Sequence, residues 1–175
     1  MAPPAPDRYL LLLGSNVDRE RNVDRAEALL GERFPVLARS RTCESPAVGD
    51  PEGPPFSNRA LLVRADLPPG EMRTVIHGLE RSLGRVRTPD RNAPRTIDID
   101  VLLALDAAGA PLREPALHRD LLRHHHAALP AAEIAGGTVL PDGRTLAAAA
   151  AALGPPPPGF RVLPGAGGSI PPAAR

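Results

Sequence analysis

The chain has 175 residues, 42% of them hydrophobic, enough for one domain with a packed core. Its formal net charge is +1, from 21 basic and 20 acidic residues, and this balance gives no general reason to expect nucleic acid or a membrane as partner. Every basic residue is arginine, which excludes a P-loop lysine, a kinase-type strand lysine and Schiff-base chemistry. Any phosphate must therefore be handled by arginine or by metal. The single cysteine, Cys43, excludes an intramolecular disulfide and a CxxC pair and reads as a small strand residue. No apolar run approaches ~18 residues, so no transmembrane helix is expected. The sequence reads as that of a cytoplasmic protein.

Residues 1–7 are expected to form a proline-rich, disordered lead. "RYLLLLG" (8–14) is an apolar run closed by glycine and predicts a buried strand. Ser15, Asn16 and Asp18 are capping residue types, and Val23, Ala26, Leu30 and Phe34 recur at helical spacing until Pro35. Residues 36–45 predict a strand, the Pro/Gly-dense 46–55 a loop, and 56–67 a second strand. Met72, Val75, Ile76, Leu79 and Leu83 form one apolar helical stripe, with Pro68 and Pro69 before it and Gly84 as its stop. An arginine-rich loop leads into the strand "APRTIDIDVLL" (93–103). The order β-α-β-β-α-β predicts an α+β, ferredoxin-like core: a mostly antiparallel sheet with helices on one face. Loops and short helices over the sheet are expected for 106–135, then a turn and a short alanine-rich helix. The domain is expected to span 8–153, with 154–175 a Pro/Gly-rich tail.

In a strand, residues i and i+2 share a face and lie ~6.6 Å apart. Asp98 and Asp100 therefore point one way and Ile97, Ile99 and Val101 the other. Two carboxylates so placed repel unless something positive lies between them. Without lysine, the candidates are arginine and a divalent cation, and Mg²⁺ binds through one or two carboxylates plus substrate phosphates. Arg85, Arg87, Arg91 and Arg95 precede the acids within one loop. Cations beside an acidic pair suit a polyanion carried by metal, such as a nucleoside triphosphate. Two solvated acids beside a solvated basic loop remain the alternative.

The segment "LERSLGRVRTPDRNAPRTIDIDVLL" (79–103) resembles the 6-hydroxymethyl-7,8-dihydropterin pyrophosphokinase family. That family carries an E-x-x-x-G-R-x-R helix end, a variable loop and a P-R-T-[LI]-D-[LI]-D strand. "LLLGSN" (11–16) is similar to its first strand and loop, and "SPAVGDPEGPPFSNRALLV" (45–63) to its pterin-binding loop. The resemblance spans about residues 8–145. It implies pyrophosphoryl transfer from ATP to the pterin hydroxymethyl oxygen, releasing AMP, in folate biosynthesis. It implies two Mg²⁺ on Asp98 and Asp100, and phosphate-gripping roles for Arg85, Arg87 and Arg95, with Arg85 and Arg95 catalytic alongside the acids. His77 and Glu80, on the polar side of their helix, and His118 would lie by the nucleotide. Gly14, Asn16, Ser45, Pro46, Val48, Phe56 and Asn58 would hold the pterin.

Two features depart from the family. Asn92 stands where many members carry a loop tryptophan. In "ALHRDLLRHHHAALP" (116–130), His124 takes the place of an arginine and His126 that of a phenylalanine that stacks on the second pterin face. Three consecutive histidines cannot share one face, so they are not read as a metal tract. The expected partners are ATP and the dihydropterin, with no nucleic acid and no membrane, for a monomeric protein. A non-catalytic homologue that binds nucleotide or pterin is the alternative.

Overall fold

The computed structural model describes residues 5–90 and 93–169. The core follows the expected order. Strand β1 (Arg8–Ser15) leads to helix α1 (Arg19–Arg33), then β2 (Val36–Arg39), β3 (Cys43–Ser45), β4 (Phe56–Arg64), α2 (Pro69–Ser82) and β5 (Asp98–Leu105). The sheet runs β5-β1-β4-β2, and β1 is antiparallel to both of its neighbours.

The strand expected over 36–45 is two strands, β2 and β3. Ser40 breaks it: its hydroxyl accepts the Ala60 N–H at 2.9 Å, and pairing with β4 slips by one residue between Arg39 and Cys43. The slip is a bulge, which bends the strand toward the end of the sheet where β3 ends in Ser45.

Tyr9, Leu11 and Leu13 face α1 and α2, packing on Val23, Leu30, Met72 and Ile76. Leu10 and Leu12 face the other way, onto a second core built by the C-terminal half. That half supplies a 3-10 turn (Arg119–Leu122), helix α3 (His125–Ala135) and helix α4 (Leu146–Ala151). The helices of the β-α-β-β-α-β core lie on one face, as expected, while this extension covers the opposite face. The segment expected as a tail also joins the sheet. Strand β6 (Arg161–Val162) pairs with β3, and β7 (Gly168–Ser169) with β2. Two-residue strands amid proline and glycine carry no periodicity for sequence reading to find.

Strand β5 carries the acidic pair and lies at the sheet edge. Its pairing with β1 shifts between Leu10 and Leu11, which leaves Leu102 as a bulge. Leu102, Leu103 and Leu105 thereby all join the second core, while Ile97 and Ile99 lie in the first. The bulged Leu102 carbonyl accepts the His118 N–H at 3.0 Å. The outer edge of β5 is closed by side chains as well. Glu80 Oε1 accepts the Ile99 N–H at 3.0 Å, and Arg85 Nη1 donates to the Ile97 carbonyl at 2.9 Å.

Candidate functional site

At one end of the sheet, on the face away from α1 and α2, the strands leave a cleft of about 390 Å³. Every residue expected to contact the pterin lines it: Gly14 from β1, Asn16 just beyond, Ser45 from β3, Pro46 and Val48 from the following loop, Phe56 and Asn58 from β4, and His126 from α3. Asp98, Asp100 and Arg95 line the same cleft.

Asn58 is buried, and its Nδ2 donates to Ser45 Oγ at 2.9 Å. That bond turns its carbonyl oxygen toward Gly14, where an added Cβ would sit 3.1 Å from Oδ1. Glycine at 14 thus leaves room for the amide. The loop after β1 does something the sequence did not foretell. Asp18 takes the N-cap position of α1 in a left-handed conformation with no side-chain cap. Ser15 Oγ instead donates to the Thr96 carbonyl at 2.6 Å, and Asn16 Oδ1 accepts the Arg95 N–H at 2.7 Å. These bonds pin the segment that delivers Asp98.

Asp98 and Asp100 do share a face, with Ile97 and Ile99 buried behind them. Asp98 receives Arg95 Nη1 at 2.8 Å and lies 3.5 Å from Arg85 Nη1. His118 Nδ1 accepts the Asp120 N–H at 3.3 Å, which leaves Nε2 3.9 Å from Asp100 Oδ1. Burial, then the adjacent Asp98 carboxylate, push the Asp100 carboxyl up to about 6. The donor set, two carboxylates on a rigid strand, suits a hard divalent cation whose other ligands are phosphate and water. Among the described residues, no group of three His, Cys, Asp or Glu forms an all-protein metal cage.

A second hollow, of about 560 Å³, is lined by His77, Glu80, Arg81, Arg85 and Arg87. The Arg85–Asp98 contact joins it to the acidic pair. Glu80 lies on the polar side of α2 as expected. It is nonetheless only 2% exposed, because its two oxygens bind the Ile99 N–H and Arg87 Nη2, the latter at 2.9 Å. His77 is exposed on α2 and Arg87 is largely exposed. Arg91 and Asn92 lie outside the described residues.

Asp120 was missed by sequence reading. It lines the cleft with Arg119, and its carboxylate lies 4.0 Å from His124 Nε2 and 3.8 Å from His126 Nε2. The rings of His124 and His126 stack, with centroids 5.3 Å apart. Burial, then His124, push the His126 imidazole down to about 4, so it is neutral at physiological pH. The spacing of His118, Asp120 and His124 hinted at such a group, but only the turn before α3 brings them together. Burial also pushes the Cys43 thiol up to about 12, which fits an inert strand residue.

Residues 10–136 match the family model described as 7,8-dihydro-6-hydroxymethylpterin-pyrophosphokinase. The 2-amino-4-hydroxy-6-hydroxymethyldihydropteridine pyrophosphokinase of Methylorubrum extorquens is 35% identical over 138 residues, covering 76% of this chain and 85% of that protein. The protein of the same name from Pseudomonas aeruginosa is 32% identical over 142 residues, covering 79% and 87%. That of Bacillus subtilis is 36% identical over 96 residues, covering 53% and 57%. The chain belongs to the 7,8-dihydro-6-hydroxymethylpterin-pyrophosphokinase family.

Proposed function

We propose that this protein transfers the pyrophosphoryl group of ATP to the hydroxymethyl oxygen of 6-hydroxymethyl-7,8-dihydropterin, releasing AMP, in folate biosynthesis. The observation that carries the reading is the place of Asp98 and Asp100, between an amide- and ring-lined cleft and an arginine-lined hollow.

The flat pterin lies in the cleft, where Phe56 offers a ring face and Asn58 Oδ1 accepts from the heterocycle's N–H edge. Gly14, Asn16, Ser45, Pro46 and Val48 complete that wall, and His126 covers the second face as a neutral ring. ATP lies along the second hollow, with His77 at its rim and Arg85, Arg87 and Arg95 on the phosphates. Glu80 serves the nucleotide by holding Arg87 and β5. His118 approaches the triphosphate past Asp100. Asp98 and Asp100 would hold two Mg²⁺ ions, which would supply charge neutralisation for the triphosphate. The hydroxymethyl oxygen bonds to the β-phosphorus and loses its proton, while the bond from the β-phosphorus to the α-bridging oxygen breaks. Arg85 and Arg95, both held by Asp98, turn to the charge that develops on the phosphates.

Residues 8–153 carry the substrate-binding and catalytic residues, after a lead over 1–7 and before a Pro/Gly-rich segment over 154–175 whose β6 and β7 join the same sheet, in a monomer working in the cytoplasm. Among the described residues, no helix is long and apolar enough to cross a membrane. AMP release by the purified protein, measured with and without dihydropterin, tests the activity. Pterin-dependent AMP is expected, and none above background from folded protein would overturn the proposal.

A further inference from the structure

The family match ends at residue 136, yet the chain beyond it packs against residues beside the cleft. The Gly154 carbonyl lies 3.1 Å from His125 Nε2, and the Phe160 ring packs on His125 with centroids 6.3 Å apart. At Gly159, where φ is 85°, the backbone passes so near Pro46 that an added Cβ would lie 3.3 Å from the proline Cγ. Strand β6 then places Val162 opposite Cys43 and Arg161 opposite Glu44, and the Leu163 N–H donates to the Thr42 carbonyl at 2.8 Å. Arg161 Nη2 donates to Glu44 Oε1 at 2.6 Å, on a buried carboxylate that also pairs with Arg19 at the start of α1.

Of the contacted residues Pro46 lines the cleft, and His125 and Glu44 stand next in the chain to residues that do. His125 sits between His124 and His126 on one side, and Pro46 and Ser45 stand on the other. Helix α3 is anchored farther along by Ala127 and Ala131 in the second core, so what the walls lack is support at the residues nearest the cleft. The loop carrying Pro46 and Val48 is crossed by two backbone bonds, Asp50 to Ala47 at 3.3 Å and Gly53 to Asp50 at 3.1 Å. Helix α3 begins at His125 with no side-chain cap. We propose that residues 154–163 are a strap that sets the spacing of the two walls and so pre-organises the cleft for its flat ligand. The proposal rests on reading that cleft as the pterin site. None of the strap's contacts named above falls on a residue of the arginine-lined hollow, so its effect spares that hollow. Arg161 and Phe160 act as positioning residues, through Glu44 and His125.

Full-length Leu163→Pro removes the donor to Thr42, Arg161→Ala removes the ion pair, and Arg161→Lys restores its charge. Two measurements test the strap. Hydrogen exchange on ligand-free protein reads the walls directly, over 46–55 and 124–128. Titrations with dihydropterin and with a non-hydrolysable ATP analogue read the consequence. In both disrupting variants the walls are expected to exchange faster and pterin to bind about tenfold more weakly, as lost pre-organisation requires. ATP-analogue affinity is unchanged, and Arg161→Lys recovers most of the pterin affinity. Unchanged exchange in both walls, or equal weakening of both ligands, would overturn the strap. If wild-type protein fails to bind dihydropterin, the reading of the cleft falls instead, and the exchange data alone decide the strap.

Discussion

Glu80 offers the sharpest separation between a strut and a ligand contact. It is 2% exposed, and it closes the open edge of β5 by accepting the Ile99 N–H at 3.0 Å. Replacing it with alanine removes a hydrogen bond to a charged acceptor, worth about 1.5–3 kcal/mol, and leaves a buried N–H unpaired. The vacated volume adds to the loss, for a total of about 2–4 kcal/mol. Against a typical domain stability of about 5–15 kcal/mol, the variant still folds. Glu80→Gln keeps an acceptor for Ile99 but loses the charge, at about 1 kcal/mol. Arg87, with 62% of its side chain exposed, contributes little through the same carboxylate, and Arg87→Ala is expected to cost under about 0.5 kcal/mol. Urea unfolding with an unchanged slope measures all three. If Glu80→Ala unfolds within about 0.5 kcal/mol of wild type while the KM for ATP rises, Glu80 is a nucleotide ligand and the strut is refuted.

Gly14→Ala pushes a Cβ to 3.1 Å from Asn58 Oδ1, so pterin KM is expected to rise about tenfold with ATP KM unchanged; a wild-type pterin KM would show that the amide does not face the pterin. His126 titrates at about 4 in the folded chain against about 6.5 unfolded, so between those values the unfolded state binds more protons. Its contribution to stability is therefore present above the unfolded value and is lost as pH falls toward about 4, by roughly 3 kcal/mol. His126→Phe should flatten thermal stability across that window and tighten pterin binding in titration. A pH slope like that of wild type, or looser binding, would contradict its place in the cleft. The Cys43 thiol, at about 12, should resist iodoacetamide at pH 8 in folded protein and react once urea unfolds it.

Much of this site was legible because its chemistry is local. Asp98 and Asp100 share a face by the geometry of any strand, and the glycine, asparagine and aromatic of the cleft lie in short motifs on β1 and β4. What sequence could not supply depends on long-range pairing. The Leu102 bulge, which moves Leu103 and Leu105 into the second core and offers a carbonyl to His118, exists only in the register with β1. Glu80 falls on the polar arc of an amphipathic helix, and only the open edge of β5 explains its burial. Asp120 gains meaning from a turn that folds it against His124 and His126. The strands near the C-terminus are two residues each, too short for any pattern.

The central claim is that Asp98 and Asp100 hold the metals that carry the triphosphate. Crystals grown with Mn²⁺, a non-hydrolysable ATP analogue and dihydropterin would test it through anomalous scattering. The account predicts two Mn²⁺ peaks bridging these carboxylates and the analogue's phosphates, and neither peak bound in the same way after Asp98→Ala. Phosphates held by the arginines alone, with no metal on either aspartate, would contradict it.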